Sequence, residues 1–192
     1  MSSRYDDEVW ALIDEHPGPP PRHVSAFVST LGPAAAVLDL GCGDGRLSDL
    51  LEAGTLTIAD VSEVALARAQ ARLPHATAVA VEPDAALPFP DTAFDLVLCA
   101  ETLEHVRDLQ MLLSEVRRVL RPGARLAVTT PAHGRLTGLA VAVRGFEGHF
   151  DPLSPHLRFL SRRSLARLLD SMGFDVQSLR REAGTLLAVA TR

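Results

Sequence analysis

The stretch VLDLGCGDGR, residues 37–46, decides the fold, because an apolar run of strand length breaks there into a loop with glycine at 41, 43 and 45. Glycine has no β-carbon, so such a loop lets the backbone approach a ligand closely. A strand, a glycine loop and a helix in succession form the cofactor-binding turn of many α/β proteins, with the N–H groups of the helix start facing the ligand. The stretch therefore predicts an α/β fold with a cofactor held at this loop.

Working outward from this loop, apolar runs of strand length alternate with segments of helical period, which is typical of a parallel sheet covered by helices. We predict parallel strands near 34–40, 55–60, 76–81, 94–99 and 124–130. The intervening segments predict helices at 46–54, ending at Gly54, at 62–73 and at 109–120.

The C-terminal part of the sequence predicts a different arrangement. A helix over 161–174 is stopped by Gly173, and the β-like runs 175–182 and 185–192 follow it closely enough to pair antiparallel at the sheet edge. The predicted fold is therefore a Rossmann-like, doubly wound and mostly parallel seven-stranded sheet with an antiparallel C-terminal edge.

Length and composition predict one domain over residues 1–192. The chain is 47% hydrophobic and has a net charge of −5, which disfavours a general nucleic-acid binder without excluding a local basic patch. Two short helices are expected within 1–31, and the long connection 132–160, which contains His133, His149 and His156, is the expected substrate lid.

Cysteine content and hydropathy predict a cytoplasmic protein. Two cysteines, Cys42 and Cys99, are expected as reduced thiols. Apolar stretches such as 139–143 are far shorter than the ~20 residues that a membrane span needs, and the N-terminus has no apolar segment typical of an export signal.

Two acidic residues indicate what the glycine loop binds. Asp60 ends the second predicted strand, where a carboxylate can accept hydrogen bonds from both ribose hydroxyls, although it also has capping-box spacing to Glu63. The dinucleotide fingerprint is broken, because Arg46 stands where a glycine or alanine is needed. Asp39 would repel a pyrophosphate and attract an ammonium or sulfonium group. The expected ligand carries a ribose and a positive charge.

With these features, the sequence resembles the class I S-adenosylmethionine (SAM)-dependent methyltransferases. VLDLGCGDGR looks like their first motif and TIADVS, residues 57–62, like their second. EPDAALPFPDTAFDLVLCAETLEHV, residues 82–106, is similar to the third and fourth motifs of the small ubiquinone- and menaquinone-type members. The resemblance is close over 34–131.

The resemblance implies a set of cofactor-binding residues. Asp39 and the loop from Gly41 to Gly45 would hold the amino-acid part of SAM, and Asp60 would hold the ribose. The Asp84 side chain and the Ala85 backbone would contact the adenine. Glu101 would face the methyl donor and the substrate. The complete predicted cofactor set is Asp39, Gly41, Cys42, Gly43, Gly45, Asp60, Val61, Asp84, Ala85 and Glu101.

The segment ETLEH, residues 101–105, supplies the candidate catalytic groups, Glu101 and His105. The Glu-x-x-Glu-His spacing resembles that of two metal-using branches of the superfamily, and a later histidine, here His156, would complete a set with Glu101, Glu104 and His105. This set of oxygen and nitrogen ligands suits Mg²⁺, Mn²⁺, Co²⁺ or Zn²⁺. The metal-free alternative is that the acidic residues favour a helix start and that His105 is a plain base or a packed side chain.

The sequence therefore predicts a SAM-dependent methyltransferase that acts on oxygen of a small or medium metabolite. Three alternatives stay open: a metal-dependent RNA 2′-O-methyltransferase, an N- or C-methyltransferase, and a SAM-binding protein that supports a partner and catalyses nothing. The sequence leaves the acceptor and the oligomeric state undetermined.

Overall fold

The computed structural model describes residues 3–14, 18–145 and 156–192. Its strands are β1 (Ala34–Leu40), β2 (Ala53–Asp60), β3 (Thr77–Ala80), β4 (Phe94–Ala100), β5 (Leu120–Pro131), β6 (Asp175–Glu182) and β7 (Thr185–Thr191). Its α-helices are α1 (Ser3–Leu12), α2 (Arg22–Ser29), α3 (Glu63–Arg72), α4 (Leu109–Val119), α5 (Arg135–Arg144) and α6 (Arg162–Ser171). Two 3₁₀ turns cover Ser48–Leu50 and Leu103–His105.

The strands form one seven-stranded sheet in the order β3-β2-β1-β4-β5-β7-β6. The first five are parallel, and β7 pairs antiparallel with both β5 and β6. The sequence of β4, FDLVLCA, is almost wholly apolar because a central parallel strand is covered on both faces. The predicted Rossmann-like α/β fold with an antiparallel C-terminal edge is confirmed.

Helices pack on both faces of the sheet and bury two apolar clusters. One cluster joins the sheet to α2 and α3 through side chains such as Phe27 and Leu66. The other joins it to α4 and α6 through Leu113 and Leu165. Because β1, β2 and β4 are parallel, their carboxyl ends meet at one edge of the sheet, where ligands bind in folds of this kind.

Local sequence explains where two of these helices start. Ser62 caps α3 by accepting a hydrogen bond from Ala65 N at 3.2 Å, and Asp108 caps α4 by accepting one from Met111 N at 2.9 Å. Each cap satisfies a backbone donor that has no partner within the first turn. Because both caps directly follow loops at the ligand edge, they also fix the positions of those loops.

The helix predicted at 46–54 is wrong. Only the 3₁₀ turn Ser48–Leu50 forms, and β2 already begins at Ala53. Gly54 is not a helix C-cap but a strand residue, and a β-carbon there would lie 2.7 Å from the carbonyl oxygen of Ala35 on β1. The apolar spacing of Leu47, Leu50 and Leu51 arises because these side chains pack against the core from an irregular segment.

Three further predictions concern the cysteines, membrane-spanning helices and the substrate lid. Cys42 and Cys99 are buried free thiols, as expected. Among the described residues, no helix is long and apolar enough to cross a membrane. The predicted lid, 132–160, includes α5, but residues 146–155 with His149 lie outside the described residues. The lid therefore stays a prediction.

Candidate active site

The glycine loop after β1 needs glycine for its backbone shape. Gly41, Gly43 and Gly45 have φ values of +78°, +53° and +77°, in the left-handed region that other residues rarely adopt. A β-carbon at Gly41 would lie 2.6 Å from the Thr102 side chain, and one at Gly43 would lie 2.8 Å from the ring of Trp10. The loop is therefore enclosed by the segment after β4 on one side and by α1 on another.

Asp39 lies buried beneath this loop. Ser48 Oγ donates a 2.6 Å hydrogen bond to Asp39 Oδ2. The other oxygen, Oδ1, is buried and accepts no hydrogen bond from the described residues. Burial raises the pKa of Asp39 to about 7, although the bond from Ser48 opposes this shift. The buried carboxylate therefore keeps one oxygen that can accept a further donor, and the contact of Asp39 with the cofactor stays a prediction.

Asp60 at the end of β2 organises the same loop. Its carboxylate accepts hydrogen bonds from Gly43 N at 2.9 Å and from Ser62 N at 3.0 Å. Burial raises the pKa of Asp60, while these backbone donors act in the opposite direction. Each carboxylate oxygen can accept more than one bond, so Asp60 can hold the loop and still accept ribose hydroxyls. The capping role anticipated for Asp60 is wrong, because Ser62 is the residue that caps α3. The contact of Asp60 with the ribose stays a prediction.

A cavity of about 360 Å³ opens above these groups. This volume lies within the usual range for small-molecule and cofactor pockets. Its lining includes most of the predicted cofactor set, namely Gly41, Gly43, Asp60, Val61, Asp84, Ala85 and Glu101, together with Thr102 and His105. Asp39, Cys42 and Gly45 do not line the cavity and lie in or beneath the loop that forms its floor.

Asp84, the predicted adenine contact, lines the cavity but has a protein partner. Arg107 forms an ion pair with it, with Nη2 2.5 Å from Asp84 Oδ2. Asp84 also has a positive φ of 54°, an unusual conformation for a residue with a side chain. Its contact with adenine stays a prediction, and Arg107 is a neighbour that the sequence pattern did not reveal.

Glu101 is held at the end of β4 by hydrogen bonds to Thr129 on β5. Its backbone N–H donates to Thr129 O at 2.9 Å, and Thr129 Oγ1 donates to Glu101 Oε1 at 2.7 Å. The side chain is open to the cavity, and the protein around it raises its pKa by desolvation. Its φ of 53° lies in the left-handed region, at the point where the chain leaves β4.

Glu104 is buried in the 3₁₀ turn that follows. Thr130 Oγ1 donates to Glu104 Oε2 at 3.0 Å, while Oε1 accepts no hydrogen bond from the described residues and lies 4.0 Å from His105 Nε2. Burial, reinforced by the charge of Glu101, raises the pKa of Glu104 to about 7. The group can therefore exchange a proton near neutral pH.

Backbone contacts bring His156 to this turn. Leu157 N and Arg158 N both donate to the carbonyl oxygen of Glu104, at 2.7 and 3.2 Å. As a result the rings of His105 and His156 lie 4.9 Å apart between centroids. One ligand atom from each of Glu104, His105 and His156 falls within 4.8 Å of the others, a spacing that could hold a metal ion.

The structure thus brings three of the four predicted metal ligands together. Among the described residues, the candidate group does not include Glu101, which instead bonds to Thr129. Sequence reasoning missed Ser48, Thr129 and Thr130, which orient the acidic groups. The polar pair at the end of β5 could have been recognised, because a buried strand that ends in two threonines places hydroxyls at the ligand edge.

Known proteins share both this fold and this sequence pattern. The family model described as a methyltransferase domain matches residues 38–128. A protein of Mycolicibacterium smegmatis that is named a probable SAM-dependent methyltransferase is 35% identical over 144 residues, which are 73% of this chain and 52% of that protein. A malonyl-[acyl-carrier protein] O-methyltransferase of Methylococcus capsulatus is 35% identical over 177 residues, which are 85% of this chain and 62% of that protein.

A solved structure agrees at the level of the fold. The SAM-dependent methyltransferase from Mesorhizobium loti superposes with a TM-score of 0.68 at 22% identity and covers 88% of this chain and 96% of its own. The fold, the glycine-loop site and these matches together support a class I SAM-dependent methyltransferase. The segment that the methyltransferase model matches runs from within β1 to within β5. The chain spans about half to three fifths of the length of the two curated relatives above.

Proposed function

We propose that the protein is a SAM-dependent methyltransferase that methylates a hydroxyl oxygen of a small or medium metabolite in the cytoplasm. The observation that carries the proposal is the buried Glu104, whose unpartnered Oε1 lies 4.0 Å from His105 Nε2, where His105 lines the cavity beside Glu101. Methyl transfer from a sulfonium needs little more than placement of a nucleophile, so the remaining task is deprotonation of the acceptor.

The side chains divide this task between them. His105 faces the cavity and accepts the proton of the acceptor hydroxyl, while Glu104 behind it stabilises the imidazolium that forms. Thr130 fixes the Glu104 carboxylate by its hydrogen bond. Glu101 is oriented by Thr129 and is placed to accept a hydrogen bond from the acceptor or the cofactor.

The charge of the site bears on which oxygen is methylated. The M. capsulatus relative is named as an O-methyltransferase, which supports oxygen as the acceptor atom here. Glu101 and Glu104 lie at or beside the cavity and would repel an anionic acceptor. We therefore propose a neutral hydroxyl rather than a carboxylate, and the net charge of −5 makes RNA the weaker alternative.

As the alternative to His105 acting as the base, we propose that the site holds a divalent ion to which His105 is a ligand. The buried, unpartnered Oε1 of Glu104 and the two nearby imidazoles fit such an ion, with Glu104, His105 and His156 as its ligands. This donor set suits Mn²⁺, Co²⁺ or Zn²⁺ better than Mg²⁺, which prefers oxygen ligands. When bound, the ion would lower the pKa of an acceptor hydroxyl.

Radiolabelled SAM tests the proposed function. The wild type is incubated with a fractionated metabolite extract and, separately, with RNA, and the labelled product is identified by mass spectrometry. We expect label on the oxygen of a metabolite. Label in RNA, or on nitrogen or carbon, would overturn the proposed acceptor.

Two variants test the site in the same assay. We expect Glu104→Gln and His105→Ala to abolish incorporation and to leave calorimetric affinity for S-adenosylhomocysteine (SAH) within about twofold, since neither belongs to the cofactor set. Glu63→Gln, an exposed glutamate in the first turn of α3, is the matched control and should retain activity. Full activity of Glu104→Gln would contradict the assigned role.

A further inference from the structure

We propose that α1 is a wall of the cofactor site, with Trp10 as a cofactor-contacting residue and Asp7 as the residue that positions it. This inference rests on the proposed SAM site. It concerns residues outside the segment that the methyltransferase family model matches, since α1 precedes residue 38.

One face of α1 is turned toward the cavity. The cavity is lined there by four residues of α1 and by one that follows the helix, namely Tyr5, Asp6, Val9, Trp10 and Ile13. Their spacing places them on one side of the helix. An aromatic and apolar face of this kind normally packs against a core, yet here it borders the space above the glycine loop, so that a ligand in the cavity would complete the burial.

Trp10 is the residue of α1 that lies against Gly43 of the glycine loop. A β-carbon at Gly43 would lie 2.8 Å from its Cζ2 and 2.9 Å from its Cη2, so the indole lies directly over the loop. A ligand seated against Gly43 must therefore share this space with the indole ring. Because indole presents a large apolar surface with few rotatable bonds, it is suited to cover a bound cofactor.

Asp7 attaches α1 to the start of α3. Its Oδ1 accepts a hydrogen bond from Ser62 Oγ at 2.7 Å and one from Val64 N at 3.2 Å. The hydrogen bond from Ser62 lowers the pKa of Asp7, and the backbone N–H groups at the start of α3 lower it further. Asp7 is therefore a charged group beside the positive end of that helix. Ser62 N in turn donates to Asp60 at 3.0 Å, so one hydrogen-bonded series connects α1 to the predicted ribose carboxylate.

Two arginines fix the chain that follows α1. Arg68 Nη1 on α3 donates to the carbonyl oxygen of Ile13 at 3.1 Å, and Arg46 Nη1 donates to the carbonyl oxygen of Gly18. The helix is therefore attached near its middle by Asp7 and beyond its end by these contacts. Trp10 lies between the two attachments, which restricts its position over the loop.

The single tryptophan of the sequence makes the inference directly measurable. SAH is titrated into the full chain while tryptophan emission and acrylamide quenching are recorded, and the same titration is followed by calorimetry. We expect the tryptophan emission to change saturably and the acrylamide quenching constant to fall at least twofold. The Kd from the emission titration should equal the Kd from calorimetry. Calorimetric binding with unchanged Trp10 emission and quenching would overturn the inference and leave the proposed function intact. Absence of calorimetric binding would overturn both.

Variants separate positioning of the cofactor from general stability. We expect Trp10→Ala to raise the Kd for SAH about tenfold, Trp10→Phe to raise it less, and Asp7→Ala to speed SAH dissociation severalfold in a stopped-flow competition. Asp7→Asn retains an acceptor oxygen and should recover most of this loss. Glu8→Ala, on the exposed side of α1 where Glu8 pairs with Arg4, is the matched control and should leave both constants unchanged. An Asp7→Ala protein with a lower Tm but a normal dissociation rate would overturn the positioning role.

Discussion

The rings of His105 and His156 lie 4.9 Å apart although they come from different segments of the chain, one following β4 and the other preceding α6. The carbonyl oxygen of Glu104, which accepts both Leu157 N and Arg158 N, creates this proximity. The polypeptide backbone thus brings together two imidazoles and a carboxylate that no continuous motif contains.

Metal addition should stabilise the protein through this group. We expect Zn²⁺, Co²⁺ or Mn²⁺ to raise the Tm of chelator-treated protein, and Mg²⁺ to have a smaller effect, because two of the three ligand groups are imidazoles. His156→Ala should remove the increase. His75→Ala, which changes a histidine outside the group, is the control. Equal Tm increases in wild type and His156→Ala, or full catalytic activity in excess chelator, would reject the metal.

Asp60→Ala should weaken cofactor binding by about 1.5–3 kcal/mol, the range for a lost hydrogen bond to a charged group. The substitution also removes the acceptor for Gly43 N, so the loop loses part of its support. Calorimetry with SAM and SAH measures the effect, and NAD and ATP should show no binding. Asp49→Ala, near the loop but outside the cavity lining, serves as the control. Tight binding of NAD would contradict the cofactor assignment.

Unfolding stability should fall as the pH rises from about 4 to 7. The folded-state pKa of Asp39 is raised to about 7 from an ordinary value of 3.8, so the folded state binds a proton more tightly than the unfolded state. The stabilisation is complete below the unfolded pKa and disappears as the pH rises through the folded one. Denaturant unfolding across this range measures the slope, which Asp39→Asn should reduce. An equal slope in Asp39→Asn would assign the effect to other groups.

Gly43→Ala should weaken SAH binding and lower the Tm by more than Gly32→Ala. Both glycines have positive φ, +53° and +66°, so either alanine carries a backbone cost of about 1–2 kcal/mol. Only Gly43 has a neighbour that the new methyl group would meet, the ring of Trp10 at 2.8 Å, whereas nothing lies within 4 Å at Gly32. A double variant with Trp10→Ala should recover part of the difference in Tm. Equal losses at the two glycines would contradict the close approach of Trp10.

Much of the fold could be predicted because its signals are local. The five parallel strands follow from apolar runs, and α3, α4 and α6 follow from helical periodicity with polar caps or a terminal glycine. The segment after Gly45 could not be predicted in this way. Its leucines have helical spacing, but the close approach of Gly54 to Ala35 is a contact between strands that the local pattern does not contain.

The candidate site could be predicted only where the residues follow strand ends. Asp60 was found from that position, Glu101 from its position together with the family resemblance, and His156 from its resemblance to a known pattern. The placement of α1 over the cavity could not be predicted, because it depends on the contact of Asp7 with Ser62 across the structure. The same holds for Ser48 and Asp39, where a serine expected within a helix instead donates to a buried carboxylate.

The position of β7 between β5 and β6 has a consequence for synthesis on the ribosome. Strands β1 to β5 emerge first and can pair with one another, but the outer edge of β5 stays without its partner until residues 185–191 have been made. That edge belongs to a long, mostly buried strand, which is prone to pair with other chains while it is uncovered. Completion of the sheet therefore depends on late, long-range docking of β7, and the nascent chain is most exposed to aggregation just before this step.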